Sequence, residues 1–584
     1  MGLKESIRKY ALQNAVEYDG KANPGSVIGK LLAEDHSLKK KMKDVSKEVK
    51  KVVAEVNKMK IEEQKKEFKK YKKKIPKKKK EEKKRLPELK NAKKVVMRFS
   101  PSPSGPMHLG HSYPLSLNSE YCRKYKGKLI LRIEDTNPET IYEPAYGMLP
   151  EDAKWVTKDN IGRVVVQSDR LGLYYDYAEK LVDIGKAYVC ECTSDHFREL
   201  IFEKKACPCR DLPLEEHQKR YAKMFNEYKP GEAVLRIKTD IKHKNPAMRD
   251  FPLMRINDHV HPRWASEKHE LCPPLEKGEH SVEKDIAPRV WPLMNLAVFV
   301  DDVEMGVTHV LRAKDHIDNA KRQEFLYRYL EKDIPETIFV GKINFEGMPM
   351  SCSKVKKLIE EGKYEGWSDI RLPFLAALKR RGYQPDALIK YSLDVGVSQN
   401  DKSVTKEEFF KALDHFNKEV LDDKTNRYFF IEDPKEIKID KAPKQRVELD
   451  LHPDHPKRGK REFYTDENFY IANEEFKNLE EGELVRLMDC LNFRKEGKKF
   501  VFDSTDYEKF KKEGRKIIHW LPVSDDLVTV NLLMPDEDKT LKIGIAEPLA
   551  AKLKEEDIVQ FERVGFVRLD KKEKDKLVFW YGHR

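Results

Sequence analysis

The stretch Val95–His111, VVMRFSPSPSGPMHLGH, constrains the fold of this chain more than any other. Val95–Phe99 reads as a short buried strand, Ser100–Pro106 as a Pro/Gly/Ser turn, and from Pro114 the pattern is helical. A strand that runs through a tight turn into a helix aims unpaired N–H groups and a positive dipole end at whatever the turn holds. Such a junction is a natural seat for phosphate. His108 and His111 flank Gly110 there, and a glycine lets a flat ligand approach the backbone closely. Two histidines three apart are by themselves unremarkable, so the rest of the chain has to decide what they do.

At 584 residues the chain exceeds what one core supports, and about three to five domains are expected. It is 39% hydrophobic and 37% charged, which excludes a membrane-embedded protein. No apolar run approaches the ~18–20 residues that cross a bilayer. The first residues, MGLKESIRKYALQNAVEY, make an amphipathic helix pattern without a secretory apolar core, so a cytoplasmic protein with reduced cysteines is expected. The net charge of +14 is unevenly placed: between Lys39 and Lys94 stand 26 Lys/Arg against nine Asp/Glu, which leaves the remainder about three charges negative. This run suits a solvated, partly helical linker broken at Pro76 and Pro87, and also non-specific contact with nucleic-acid phosphates.

The expected α/β organisation follows in chain order. Residues 1–57 are helical with a break at Lys21–Gly25, and residues 58–94 form the Lys-rich linker. Residues 95–185 alternate strand-like runs (Val95–Phe99, Leu129–Ile133, Val164–Gln167) with helices, as in a βαβ nucleotide fold. Residues 186–289 form an insertion carrying Cys190-x-Cys192 and Cys207-x-Cys209. Four soft thiolates in two close pairs suit a tetrahedral Zn²⁺, structural because no coordination position stays open. His196 and His217 are alternatives for one ligand but are expected to be ordinary surface residues, and Cys272 a packing residue. The nucleotide fold resumes over 290–361, where VWPLMNLAVFVDDVEMGVTHVLRAKDH reads as strand, acidic turn and second strand. Residues 362–427 are helical, with Lys379, Arg380 and Arg381 as candidate phosphate contacts. Residues 428–584 break into short runs such as ELVRLMDC, KKFVFD, LVTVNLLM and KLVFWYGH, which point to β-barrels.

RFSPSPSG-x-MHLGH resembles the HIGH signature of class I aminoacyl-tRNA synthetases, in the form used by the glutamyl and glutaminyl enzymes. RIEDTNP (132–138) and GVTHVLRAKDH (306–316) are further matches, in order. About 240 residues after the signature, Met348–Val355, MPMSCSKV, resembles the KMSKS loop in its archaeal form, without the first lysine. KYALQNAVEYDGKANPGSVIGKLL resembles the N-terminal extension of archaeal glutamyl enzymes, so the chain is identified as a member of that branch.

The resemblance implies a Rossmann-type class I catalytic domain with an acceptor-binding insertion, a helical connection and a β-barrel anticodon-binding domain. It implies that ATP is held by Pro106, His108, Gly110, His111, Ser353 and Lys354, with His108, His111 and Lys354 catalytic. Glutamate is held by Arg98, Ser102, Glu134 and Arg312. Glu134 takes the amino group, Asp135 and Asn137 line the site beside it, and Ser104 lies on the same turn as Ser102. Arg312 decides the substrate, because a guanidinium fork is the natural partner of a side-chain carboxylate and glutaminyl enzymes usually lack this arginine. Met294 stands where these enzymes usually have a tyrosine, so that contact does not carry over. The implied activity forms glutamyl-adenylate from glutamate and ATP with Mg²⁺, then charges tRNA(Glu), with tRNA(Gln) left open. A structural Zn²⁺ in the insertion and a monomeric state complete the expectation. Arg312 opposes a glutaminyl enzyme, the β-rich end opposes a truncated tRNA-modifying relative, and His108, His111 and Lys354 oppose a non-catalytic tRNA-binding protein.

Overall fold

A computed structural model describes residues 3–17, 20–34, 42–71, 86–265 and 288–584, and the chain divides into two compact units, Met1–Lys83 and Lys84–Arg584. Residues 72–85 of the Lys-rich linker and Cys272 lie outside the described residues. Among the described residues, no helix is long and apolar enough to cross a membrane.

In the first unit, helices Leu3–Glu17, Pro24–Glu34, Met42–Asn57 and Ile61–Tyr71 close around Ile7, Ala11, Leu12, Val27 and Leu31. Val45, Val49, Val52, Val53 and Val56 recur at helical spacing, so one stripe of the third helix faces that core. The expected break is made by Asn23, whose Oδ1 accepts the Gly25 N–H at 2.8 Å, with Pro24 opening the next helix.

In the second unit, Val96–Phe99 pairs in parallel with Lys128–Ile133, which pairs in parallel with Arg163–Val166. His309–Ala313 runs on the other side of Val96–Phe99. Thr308 ties the two: its N–H donates to the Val96 carbonyl at 3.0 Å and its Oγ1 accepts the Val96 N–H at 2.9 Å. Glu336–Val340 then pairs in parallel with His309–Ala313. The strand order therefore reverses beside Val96–Phe99, and the crevice at the carboxyl ends of such strands is where open α/β sheets bind ligands.

The helix after the first strand begins at Leu109, not at Pro114. A histidine cap is not an ordinary start signal, so the proline marks a point already inside the helix. Met294–Glu304 is also a helix, where a strand and an acidic turn were expected. Its run Leu296–Val300 is buried on all sides, and a short apolar run without polar gaps carries no period to distinguish the two. Val290–Pro292 pairs antiparallel with Pro252–Ile256 and so completes the four-stranded sheet of the insertion instead of resuming the parallel sheet.

The helices Leu375–Arg380, Pro385–Val395 and Lys406–Leu421 lead to two seven-stranded sheets. The end strands of one sheet are Lys516–Ile518 and Leu521–Pro522; those of the other are Arg427–Tyr428 and Phe430–Glu432. In each case the two ends are neighbours in sequence, so each sheet closes on itself as a barrel. Phe429 enters the core of the first barrel beside Phe463 and Trp520, whereas Phe430 enters the second, stacked on Phe561 at 5.1 Å. Glu547 joins them: it accepts the Phe429 N–H at 2.8 Å and pairs with Arg461 at 3.0 Å.

Arg380 and Arg381 are engaged within the protein, where free cations were expected. Arg380 makes two bonds of 2.8 Å to Asp570 and lies 3.5 Å above the Trp580 ring. Arg381 is buried and donates to the Gly582 carbonyl at 2.8 Å. Both cations are used to dock the helices on the second barrel, and of the three basic residues only Lys379 is exposed.

Candidate active site

His108 caps the helix Leu109–Lys124. Its Nδ1 accepts the Gly110 N–H at 3.1 Å, while His111 Nδ1 accepts the His108 N–H at 3.2 Å, a capping box built from two histidines. An N–H donated into each Nδ1 leaves the proton of each neutral ring on Nε2, so each ring keeps a donor on its far side. The rings stack at 4.0 Å. Burial pushes His108 down to about 4 and His111 well below the usual range, the second helped by its neighbour. Burial therefore disfavours the cationic form of both rings at pH 7. Gly110 is required here, because a Cβ would stand 2.9 Å from Cε1 of His108. The turn is pinned from behind, where Met107 N–H donates to Asp152 at 2.9 Å, Leu109 N–H to the Pro373 carbonyl at 3.1 Å, and Leu375 N–H to the Met107 carbonyl at 3.0 Å.

Arg98, Glu134 and Arg312 come together at the ends of their strands. Arg132 is fully buried and organises them, bonding Asp302 at 2.7 Å and Glu134 at 3.0 Å, while Arg98 reaches Asp302 at 3.4 Å. Asp301, on the same helix as Asp302, takes Arg170 at 2.9 Å and Tyr174 at 3.0 Å. Although buried, Asp302 is held below the usual carboxylate range by Arg98 and Arg132. Arg312 differs from the other arginines: Nη1 donates at 3.1 Å to a neutral acceptor, Gln323 Oε1, and Nε has no partner. Among the described residues no carboxylate lies within ion-pair distance of it. Burial and the adjacent Arg98 charge push it down to about 10. Arg98 and Arg132 thus pair with Asp302 and Glu134, and Arg170 with Asp301, while Arg312 lies beside them without an ion pair among the described residues.

Ser102 and Ser104 are exposed on the turn, and Glu134 is fastened to it by its N–H on the Pro101 carbonyl at 3.0 Å. Asp135 and Asn137 do not line the site. Asp135 is 1% exposed and accepts from Tyr146 at 2.6 Å and from both groups of Ser168, with His261 at 3.4 Å. Asn137 accepts from Arg255 at 2.7 Å, so both residues anchor the insertion. Met294 opens its helix, with its sulfur 3.9 Å from the amide of Asn319.

Lys354 lies in the first turn of the helix Cys352–Glu360, is exposed, and has no hydrogen bond or ion pair among the described residues. Ser353 beside it is also exposed, its hydroxyl 3.2 Å from that of Ser351. This loop touches the histidine turn: the Cys352 sulfur is 3.9 Å from the Pro106 carbonyl, and a Cβ on Gly105 would stand 2.9 Å from that sulfur. The start of the helix that carries Lys354 therefore lies against the turn that leads into the histidine-capped helix, and helix starts of this kind suit phosphate.

In the insertion, the sulfurs of Cys190, Cys192, Cys207 and Cys209 lie within 4.8 Å of one another. The hydrogen bond with Cys207 and the neighbouring Arg236 hold the Cys190 thiol well below its usual range. His196 is exposed, as expected, but His217 is buried against the Tyr188 ring, with neither nitrogen bonded, and is not a surface residue.

A family described as tRNA synthetases class I (E and Q), catalytic domain, matches residues 94–423, and the corresponding anticodon-binding domains match 425–511 and 517–570. The chain belongs to the class I tRNA synthetases of the E and Q group. It is 42% identical to a glutamate–tRNA ligase of Methanocaldococcus jannaschii, 40% to one of Methanobrevibacter smithii and 41% to one of Pyrococcus furiosus, covering 100% of both chains each time.

Several residues of this synthetase's site carry no sequence signal. Asp152, Asp302 and Gln323 stand in unexceptional helical patterns and meet the site only through the fold. Burial, only partly offset by the Met107 N–H, pushes Asp152 up to about 7. A carboxyl raised on folding binds its proton more tightly in the native state, so stability falls as pH climbs from about 4 to about 7. Asp152→Asn keeps an acceptor for Met107 and removes the titration. The melting temperature of the variant should therefore rise above that of the wild type between pH 5 and pH 8. An offset that stays constant over that range would assign the pH dependence elsewhere.

Proposed function

We propose that this protein is a glutamate–tRNA ligase that activates L-glutamate with ATP and transfers it to the 3′-terminal adenosine of tRNA(Glu). The observation that carries the substrate is Arg312, a buried cation beside Arg98 without a carboxylate of its own. Glutamate brings the missing charge, and glutamine does not.

Glutamate lies with its side-chain carboxylate toward Arg312 and Arg98 and its ammonium toward Glu134, with Ser102 at the edge of the turn. ATP lies across Pro106 and Gly110, its phosphates taking the Nε2–H donors of His108 and His111 and the helix N–H groups, with Ser353 and Lys354 on the opposite side. The nucleotide enters with its own Mg²⁺ as part of the substrate. A carboxylate oxygen of glutamate attacks the α-phosphorus, the bond to pyrophosphate breaks, and Lys354 meets the charge on the departing oxygens. The 2′-hydroxyl of the terminal adenosine then attacks the activated carbonyl carbon and AMP leaves. No side chain becomes covalently attached, so position and charge supply the catalysis. The insertion 186–289 takes the acceptor end and the barrels of 428–584 take the anticodon. The enzyme works in the cytoplasm as a monomer.

The four cysteines suit Zn²⁺. Tetrahedral Zn–S bonds of about 2.3 Å place sulfurs about 3.8 Å apart, and the pairs Cys190–Cys207 and Cys192–Cys209 stand at 3.8 and 4.0 Å. Zinc would tie two loops of the insertion together and take no part in the reaction. One zinc per chain is expected by elemental analysis. Cys192→Ser with Cys209→Ser should lose it and open the segment 190–212 to protease; an unchanged digestion pattern in a metal-free protein would refute a structural zinc.

The function is tested by charging purified tRNA(Glu) and tRNA(Gln) transcripts with labelled glutamate and, separately, glutamine. Glutamate on tRNA(Glu) is the expected result, and the same assay decides whether tRNA(Gln) is also a substrate. Glutamine charging would overturn the role of Arg312, and no charging at all would make this a tRNA-binding protein.

A further inference from the structure

We propose that Gln323 sets the preference for glutamate over glutamine by holding Arg312 with a neutral acceptor in place of a carboxylate; this rests on the glutamate–tRNA ligase reading. Gln323 stands on the helix Ile317–Tyr329 and is 3% exposed, with its Oε1 3.1 Å from Arg312 Nη1. Its Nε2 has no hydrogen-bond partner. Neither has Arg312 Nε, nor the hydroxyl of Tyr327 one turn further along the helix. Buried polar atoms without partners are uncommon and costly, and three of them around one guanidinium mark a place that a polar ligand group completes. None of the nearby carboxylates pairs with Arg312: Asp302 takes Arg132 and Arg98 through Oδ1, its Oδ2 being without a hydrogen-bond partner, and Glu134 takes Arg132.

The identity of residue 323 decides whether that cation is available. A glutamate has the length and shape of glutamine but would put a charged oxygen 3.1 Å from Nη1, making an internal ion pair. Such a carboxylate would supply the charge that the substrate otherwise brings, and the site would then suit a neutral side chain. A neutral side chain here, unlike a carboxylate, leaves the charge of the guanidinium unanswered. Gln323 is thus a positioning residue that acts through Arg312.

The test uses the full-length protein with tRNA present and follows glutamate- and glutamine-dependent ATP–pyrophosphate exchange in wild type, Gln323→Glu and Gln323→Met. Gln323→Glu should raise KM for glutamate about 10- to 100-fold, keep kcat within about threefold, and cut the glutamate-to-glutamine ratio of kcat/KM at least about tenfold. Gln323→Met, neutral and of similar size, should leave that ratio within about threefold of wild type. An unchanged ratio in Gln323→Glu overturns the proposal, as does an equal loss in Gln323→Met, which would make the amide itself the determinant. If Gln323→Glu does not fold, Gln323→Met decides: a retained ratio supports the proposal and a collapsed one overturns it. A wild type that fails to activate glutamate at all would instead overturn the functional reading, a result visible before any variant is made.

Discussion

Arg312→Met should lower kcat/KM for glutamate by about 100- to 1,000-fold, since a charge-assisted fork contributes roughly 1.5–3 kcal/mol per bond. The same variant should melt at the same temperature as the wild type or higher. A buried guanidinium without a counter-charge is a cost to the folded state, and a methionine of similar length fills the space without it. Loss of activity with unimpaired stability is the signature of a residue kept for binding. Arg312→Lys should retain part of the activity, because an ammonium supplies charge but not the planar fork. Glutamate titrations in pyrophosphate exchange, together with thermal melts, separate these outcomes. An unchanged KM, or a large fall in melting temperature, would place Arg312 in the framework and not in the site.

Lys354→Ala acts on the other substrate and on a different constant. Lys354 is exposed and unpaired, so its removal breaks no contact among the described residues and should leave the melting temperature unchanged. In the proposed mechanism its charge is used only when the bond to pyrophosphate breaks, and groups of this kind contribute about 2.7–4 kcal/mol. A fall in kcat of about 100- to 1,000-fold with KM for glutamate within about threefold is therefore expected. A kcat within threefold of wild type would transfer the role to the helix N–H groups and the histidines. Those histidines should add no step to the pH profile near 6.5, because burial keeps both neutral well below that pH.

How much of this could be read from the chain depended on whether the signal was local. The strand Val96–Phe99, the histidine turn and the lysine of the second loop are carried by contiguous strings, and the structure places Arg98, Glu134 and Arg312 together as the strings implied. The start of the helix at Leu109 was missed because its cap is a side chain that rarely plays that part. Asp301 and Asp302 read as a turn because two adjacent acids after an apolar run look solvent-bound; in the fold they meet arginines from distant strands and loops. Arg380 likewise reads as a free cation until Asp570, 190 residues later, is folded against it. Asp135 follows Glu134 in the RIEDTNP string, yet past the strand end at Ile133 it is buried against Tyr146 and Ser168.

The closure of the barrels bears on how this protein comes off the ribosome. Arg427–Tyr428 and Phe430–Glu432 are synthesised early, but their partners are Ile558–Phe561 and Leu541–Ala546, made more than a hundred residues later. Phe429 and Phe430, adjacent in the chain, plug two different cores, so the first barrel holds one of them while the other waits with its aromatic ring exposed. Pairings of such long sequence separation form slowly. The second barrel should therefore be the last part of the chain to acquire its native structure, and a growing chain halted before residue 541 should be the species most in need of a chaperone.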